Sequence, residues 1–399
     1  MIQTLRYGTN RTLELELPED VVLANCTARR AQPLDDPAAA IAAALADPID
    51  FPPLSQATVP GDRVAIVVAP GLPQMPTLVA GVVYALVEQG THPEDITILL
   101  APQIASEQFV DPVSLLPEDV KSAVNVVTHD LDDSDAVSYL AASSKGDPIY
   151  VSRVIYDADV VVPIGTFRLD PRLGPSNVHE SFFPTFSDRK TLERFLNGER
   201  DSKKHAQAVD EAVWLLGVQF TVQVIPGPDD SVLNVLAGDC NAVASRGKAL
   251  CESAWRFKIP ARASMVLATI DGGPQQQTWE NFVRALIAAS RAVEDDGVIV
   301  ICSEVNRVAP PVASRIGTAS NDLDEEQSLD APGIADAVIS ELCEQARVFL
   351  LSGLSSDLVE DLGIAYVEKP EEVIRLSRQH DSCILVSSAQ YAVLVADDE

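Results

Sequence analysis

The sequence predicts an α/β protein of two domains, each a largely parallel sheet flanked by helices, with a ligand cleft between them. Three observations carry this. Short, wholly apolar runs alternate with segments of helical periodicity, the pattern of parallel strands covered by helices. The alternation stops once, around residues 256–260, and then starts again. The chain has 399 residues, more than one ordinary core holds, and about two or three domains are expected at that length.

The first strand is read at 63–68, closed by Pro70 and Gly71. A helix at 77–89 follows, with Leu78, Val79, Val82, Val83 and Leu86 on one face. Strands at 96–100, 124–127 and 159–163 continue the alternation, then a helix at 206–216 and a strand at 219–225. Asp239 is placed to cap a helix through Ala242, Leu250 and Ala254, because its carboxylate can accept from exposed first-turn N–H groups. Pro260 disfavours continuation of that helix, so the boundary is set there, giving domains 1–260 and 261–399. Beyond it, strands are read at 264–270, 297–302, 347–351 and 383–386, with helices at 279–293, 334–345 and 370–380. The polar stretch 304–332, with paired prolines and several acids, is too long for a usual connection and is read as a lid or mobile loop. No internal repeat is found.

Hydrophobic residues at 47% and charged ones at 22% suit a compact globule. The net charge of −30 repels polyphosphate backbones and anionic lipid, which argues against nucleic acid and membrane as partners. No basic segment followed by an apolar run opens the chain, and no run approaches the roughly 20 apolar residues of a membrane span, so a cytoplasmic location is expected. The cysteines at 26, 240, 251, 302, 343 and 383 form no C-x-x-C pair and read as buried small apolar residues.

Several local patterns fall in one order along the chain. They are His129-Asp130, Gly146-Asp147-Pro148-Ile149-Tyr150-Val151 leading into Ala158-Asp159-Val160-Val161-Val162, and Phe182-Phe183 ahead of Phe186-Ser187 and Arg189-Lys190. His205 with Val209 and Glu211-Ala212, Leu236-Ala237-Gly238-Asp239, and Asp271-Gly272-Gly273-Pro274 with Gln277 complete the series. From Val64 to Cys302 this series resembles the nickel-pincer lactate racemase family. The resemblance implies a lysine carrying a nickel-containing pyridinium nucleotide and a histidine completing the metal site. It also implies two further histidines that move protons while hydride shuttles between substrate and cofactor. Imidazole suits proton transfer near neutral pH.

Against that pattern, the first strand of the family ends in Asp-His-Thr-Arg-Pro, whereas Val67-Val68-Ala69 leads here into Pro70-Gly71-Leu72-Pro73-Gln74, without carboxylate or guanidinium. Ala101-Pro102-Gln103-Ile104-Ala105 stands where the family has a Thr-Gly-x-His segment. Ser181 takes the position of the second catalytic histidine, with His179 as a shifted candidate base or an idle loop histidine. Lys190 aligns with the cofactor-bearing lysine, but Thr185 and Asp188 replace glycines of its approach, so it is either the anchor or a solvated lysine at a helix start. His205 is the candidate nickel histidine, though a single histidine is not a metal site.

For ligands, Gly272 and Gly273 sit where a strand gives way to a helix, the place where α/β sheets bind cofactors. On that helix Asn281 and Arg284 lie opposite the apolar stripe, as anion binders or as a solvated polar face. Arg168 and Arg172 flank Asp170 and offer planar forks to a carboxylate or phosphate, or else form a salt-bridged turn. Asp130, Asp132, Asp133 and Asp135 resemble a divalent-metal loop in composition only and read as a solvated acidic loop. The expectation is a divergent lactate-racemase-like protein without the nickel-pincer nucleotide and without lactate racemase activity, holding a small anionic molecule in its cleft. The alternatives are a 2-hydroxyacid racemase or epimerase with an altered site, and a non-catalytic scaffold or regulatory partner. Either a homo-oligomer or a complex with a paralogue is compatible with the acidic surface.

Overall fold

The computed structural model describes residues 2–28, 32–102, 110–143, 146–169, 179, 182–197, 202–307 and 334–397. In chain order the strands are β1 (Ile2–Tyr7), β2 (Arg11–Glu16), β3 (Val22–Cys26), β4 (Val64–Val68), β5 (Ile96–Leu100), β6 (Asn125–Thr128), β7 (Val137–Ala142), β8 (Pro148–Ser152) and β9 (Val160–Thr166). They continue as β10 (Phe220–Pro226), β11 (Val232–Asp239), β12 (Arg256–Ile259), β13 (Ala263–Thr269), β14 (Val293–Cys302), β15 (Arg347–Leu351), β16 (Ala365–Val367), β17 (Cys383–Val386) and β18 (Val393–Ala396). The helices are α1 (Pro37–Ala46), α2 (Leu54–Ala57), α3 (Met75–Glu88), α4 (Glu118–Ala123), α5 (Arg153–Tyr156) and α6 (Arg189–Asn197). After them come α7 (Ser202–Leu215), α8 (Cys240–Trp255), α9 (Trp279–Ser290), α10 (Ile334–Gln345), α11 (Ser356–Asp361) and α12 (Pro370–Ser377).

The chain forms two compact units, each α/β. Unit 2 comprises Gln32–Gly227 and Ser231–Cys251. Its six-stranded sheet has the order β11-β10-β9-β4-β5-β6, parallel except for the antiparallel β10–β11 pair. Every residue of β4 is buried, because helices cover both faces. Val64, Ile66 and Val68 pack with α1 and α3 residues such as Ile41, Leu78 and Val82. Ala65 and Val67 turn to the other face, against Phe182, Phe183, Phe186, Val209 and Ala212. The continuous apolar reading of 63–68 is this double burial. Asp239 caps α8 as expected, its Oδ1 accepting from the N–H groups of Asn241 and Ala242.

Unit 1 comprises Met1–Ala31, Pro228–Asp230 and Glu252–Glu399. Its sheet has the order β16-β15-β14-β13-β17-β3, parallel throughout. The expected boundary at 260 lies close to Glu252, but assigning residues 1–31 to the first domain is corrected. Strand β3 pairs with β17, Cys26 opposite Val386. The β1–β2 hairpin buries Leu5, Tyr7, Leu13 and Leu15 in one cluster with Met265, Leu267, Val300 and Leu385. These alternating apolar residues need the sheet of unit 1 to leave water.

Helix α9 ends at Ser290 rather than 293, since Val293 already begins β14, and α12 ends at Ser377 rather than 380. Of the expected loop 304–332, residues 308–332 lie outside the described residues. Five cysteines are buried and Cys343 is half-buried, all as free thiols. No described helix is long and apolar enough to cross a membrane.

Candidate functional site

In unit 2 the chain runs from β4 outward to β5 and β6 on one side and through β9, β10 and β11 on the other, so the strand order reverses between β4 and β9. Ligands of open α/β sheets bind outside the carboxyl ends of the strands at such a point. There the segment after β4 turns through Gly71, whose φ of +67° favours glycine. The Thr166 hydroxyl at the end of β9 donates to the Gly71 carbonyl at 3.3 Å. The half-buried Arg168 extends over the same turn, its Nη2 lying 3.3 Å from where a Cβ on Gly71 would stand. A guanidinium two residues past β9 thus stands beside the glycine turn that follows β4. The partner expected for Arg168, Arg172, lies outside the described residues, as does Asp170.

Beside the same sheet, His129 at the end of β6 is buried, its ring against Phe186. Its Nε2 lies 2.7 Å from the Ser187 carbonyl, which can only accept, so Nε2 carries the proton and donates. Burial pushes the His129 imidazole below its ordinary range, against the opposing bond to Ser187. This fixes the start of α6. Arg189 adds a fork to Asp132, with Nε–Oδ1 and Nη2–Oδ2 distances of 2.5 and 2.6 Å, and the guanidinium holds that carboxyl below its usual range. Asp130 and Asp133 accept from the N–H groups of Asp132 and Asp135, so the acidic loop is made of self-capping turns. No group of three His, Cys, Asp or Glu side chains among the described residues could hold a metal ion.

Lys190, the next residue, is exposed in the first turn of α6. His179 is better placed than its sequence neighbourhood suggested. Its Nδ1 donates to Asp210 Oδ1 on α7 at 2.8 Å, its side chain is only 17% exposed, and its carbonyl accepts from the N–H groups of Phe182 and Phe183. A carboxylate that holds Nδ1–H leaves Nε2 as the basic nitrogen of the neutral ring. The side chain of His205 lies outside those described.

Unit 1 has its own reversal of strand order, between β13 and β17. That point is filled by the chain itself. The buried Asp271 carboxylate accepts from the Ser388 hydroxyl at 2.8 Å, the Asp229 N–H at 3.0 Å and the Gln390 amide at 3.3 Å. Burial raises the Asp271 carboxyl above its ordinary range, more than these donors lower it. Gly272 has φ +104°, and a Cβ there would come within 2.8 Å of Gln276 Cγ. A Cβ on Gly273 would meet Gln275 Oε1 at 2.7 Å. Gln275 and Gln276 donate to Asp230 at 2.6 and 3.2 Å, and the Tyr391 hydroxyl donates to Gln276 Oε1 at 2.9 Å. Both glycines thus have a local cause in these glutamines.

Asn281 was expected on a polar face opposite the apolar stripe. It is instead 1% exposed, its amide donating to the Gln276 carbonyl at 2.8 Å. The correction follows from the first turn of α9, where the Thr278 side chain caps the Asn281 N–H and folds the preceding glutamines over it. Arg284 is 18% exposed and donates to Asn281 Oδ1 at 3.1 Å and Glu280 Oε1 at 2.7 Å.

The nickel-pincer nucleotide that the resemblance implies does not fit what is built around Lys190. Where a glycine would let a bulky anionic ligand approach, Asp188 carries a carboxylate. Its Oδ1 is buried and has no hydrogen-bond partner among the described residues. Two residues before the lysine, a side chain thus stands where a glycine would leave the backbone open to a nucleotide. The contacts of Asp210 with His179, and of Ser388 and Gln390 with Asp271, leave no local sequence signal, because they join residues 31, 117 and 119 positions apart.

A two-unit α/β chain with this order of strands and motifs defines a known class. Residues 7–205 match the lactate racemase N-terminal domain, and the chain belongs to the lactate racemase family. Among solved structures it is similar to the lactate racemase apoprotein from Thermoanaerobacterium thermosaccharolyticum, with a TM-score of 0.77 at 14% identity over 99% of this chain and 100% of that one. A Thermotoga maritima protein matches with a TM-score of 0.66 at 11% identity, over 92% of this chain and all of that one. At these identities the likeness is one of fold. No curated protein matches the sequence.

Proposed function

We propose that this chain is a lactate-racemase-like protein that does not racemise lactate by nickel chemistry and that binds a small anionic molecule at Arg168. One observation carries the reading: three residues it shares with the family pattern, His129, Asp271 and Gly238, are taken up by the scaffold. His129 holds the start of α6, and Asp271 binds Ser388 and Gln390. Gly238 lies so close to Ile49 that a Cβ would come within 2.1 Å of its carbonyl oxygen. At the end of β4, where the family has ionisable side chains, this chain has Ala69-Pro70-Gly71-Leu72.

The test is made on protein purified from its native host. Intact mass and metal analysis should show no nucleotide on a Lys190 peptide and no stoichiometric nickel. Chiral chromatography should show no conversion of L- to D-lactate above a no-enzyme control. A mass excess on Lys190 accompanied by nickel overturns the reading.

The His179–Asp210 pair favours a second reading, an isomerase of hydroxy acids with an altered site. A carboxylate-oriented imidazole is the arrangement a general base needs. Turnover of a 2-hydroxy acid that vanishes in both His179→Ala and Asp210→Ala would select this reading over the first.

A further inference from the structure

We infer that β6, the outer strand of the unit 2 sheet, takes up an extended segment of another protein that alternates apolar and basic residues and joins the sheet as a further strand. The two edges of this sheet are finished differently. At β11 the carbonyls of Val232 and Ala237 accept from the N–H groups of Leu34 and Ile49, and the Asp239 N–H donates to the Ile49 carbonyl. At β6 the register with β5, together with the bond from the His129 N–H to the Leu100 carbonyl, fixes which main-chain groups face inward. Asn125, Val127 and His129 turn theirs to β5, so Val126 and Thr128 turn both N–H and carbonyl away from it. Both residues are exposed, and these outward groups meet no partner among the described residues. Edge strands are ordinarily guarded by a charge, a proline or a bulge. Asn125-Val126-Val127-Thr128 has no charge and no proline, and its pairing with β5 runs without a register shift.

The surroundings of β6 set the chemistry of the strand that pairs with it. An added strand sends alternate side chains to the two faces of the sheet. Val126 lies two residues from Val124 and so shares the face on which Val124 packs with Leu78 and Val82 of α3. Tyr84 of α3 and Leu115, which stands between Val113 and Leu116 of that same cluster, are exposed there as Val126 is, and the Tyr84 hydroxyl donates to the Leu115 carbonyl at 3.5 Å. Apolar residues of the incoming strand belong on this side. The loop after β6 leads to the opposite face, where Val127 and Leu140 of β7 pack against the cluster holding Ala65 and Val67. In that loop Asp132 is taken by Arg189, while the exposed Asp130, Asp133 and Asp135 make no salt bridge among the described residues. Basic residues of the incoming strand meet these carboxylates. A second copy of this chain does not suit the edge, because it brings the same carboxylates and a further −30 of charge to it.

The probe is a synthetic peptide of alternating valine and lysine with blocked ends, titrated into the full chain by isothermal calorimetry. Two controls accompany it, the same sequence N-methylated at every peptide bond, which keeps side chains and charge but removes the main-chain donors, and a valine–glutamate peptide. The valine–lysine peptide should bind, and each control should bind more weakly by roughly tenfold or more. Hydrogen exchange should slow at Val126 and Thr128 in the complex. Val126→Pro removes an N–H that β5 does not use, so it should weaken binding to a similar extent while matching the parent in circular dichroism. If that variant unfolds, Thr128→Lys, which sets a cation on the exposed edge, should weaken binding instead. Absence of binding up to about 1 mM peptide overturns the inference. Equal affinity for the N-methylated peptide, or an affinity unchanged in the folded variants, reduces the attraction to charge alone and overturns it as well. A concentration-dependent dimer in sedimentation that Val126→Pro abolishes gives the edge to a second copy, which also overturns it.

Discussion

The Ser388 hydroxyl donates to Asp271 Oδ2 at 2.8 Å in the buried interior of unit 1, tying the end of β17 to the end of β13. Because burial raises the Asp271 carboxyl, the folded chain holds that proton at pH values where the unfolded chain has released it. The stability this contributes is present below the unfolded value of 3.8 and is lost as pH rises through the raised folded value. The stability advantage of the parent over Asp271→Asn should therefore be greatest at the acid end and shrink as pH rises. Ser388→Ala should cost about 1–3 kcal/mol by removing a donor from a buried carboxyl. Urea unfolding across pH 4–8 measures both, and a parent-minus-variant difference that grows with pH contradicts the assignment.

For His129 the sign is opposite. Its imidazole is pushed below 6.5 by burial, so the unfolded chain takes up a proton first on acidification. The stability of the neutral, buried ring is complete above pH 6.5 and is lost as pH falls through the depressed folded value. His129→Phe keeps a ring against Phe186 but removes the donor to Ser187. It should be less stable than the parent by about 1 kcal/mol at pH 8, and the gap should be smaller at pH 5. Parallel stability curves at the two pH values would refute this.

What the sequence discloses is what is local or doubly buried. The strands at 96–100, 347–351 and 383–386 and the helix at 334–345 coincide with β5, β15, β17 and α10 because their apolar runs end at clear breaks. The Asp239 cap is legible since its acceptors lie two and three residues on. The hairpin of β1 and β2 is not, because half its residues are polar and its apolar face finds a partner some 250 residues later in chain order, at Met265 and Leu267. At Asn281 polarity does not mean exposure. A helical wheel does not show that Gln276 supplies its amide with an acceptor.

Self-repulsion of a chain carrying −30 gives a third expectation. The Debye length shrinks from about 30 Å at 0.01 M salt to about 3 Å at 1 M, so added salt relieves repulsion among surface carboxylates. The melting temperature should rise steadily between those concentrations of sodium chloride. A scanning calorimetry series showing no rise would mean the acids are already paired or too far apart to interact.

Gly238 is the glycine of the Leu236-Ala237-Gly238-Asp239 segment, and the scaffold reading makes its substitution severe. Ile49 pairs across it, with its N–H donating to Ala237 and its carbonyl accepting from Asp239. A Cβ on residue 238 would strike the backbone of Ile49, which cannot step aside as a side-chain tip can. Gly238→Ala should destabilise by about 3 kcal/mol or more, through overpacking. A variant within about 0.5 kcal/mol of the parent in urea unfolding would show that the contact is relaxed in solution.

Asn281 and Arg284 separate a structural from a ligand-binding role for the first turns of α9. Asn281 is buried, donates to the Gln276 carbonyl and side chain, and accepts from Arg284. Asn281→Ala removes these bonds, taking one donor from the Gln276 carbonyl and one acceptor from the Arg284 guanidinium inside unit 1. A loss of about 2–3 kcal/mol is expected. Arg284→Ala removes one bond to Asn281 Oδ1 and an i,i+4 pair with the exposed Glu280, and should cost about 1 kcal/mol. The double variant should cost less than the two losses added together, because the Asn281–Arg284 bond is counted in both. If Arg284→Ala leaves stability untouched yet abolishes stabilisation by sodium L-lactate over sodium chloride, the anion site lies on α9 rather than at Arg168.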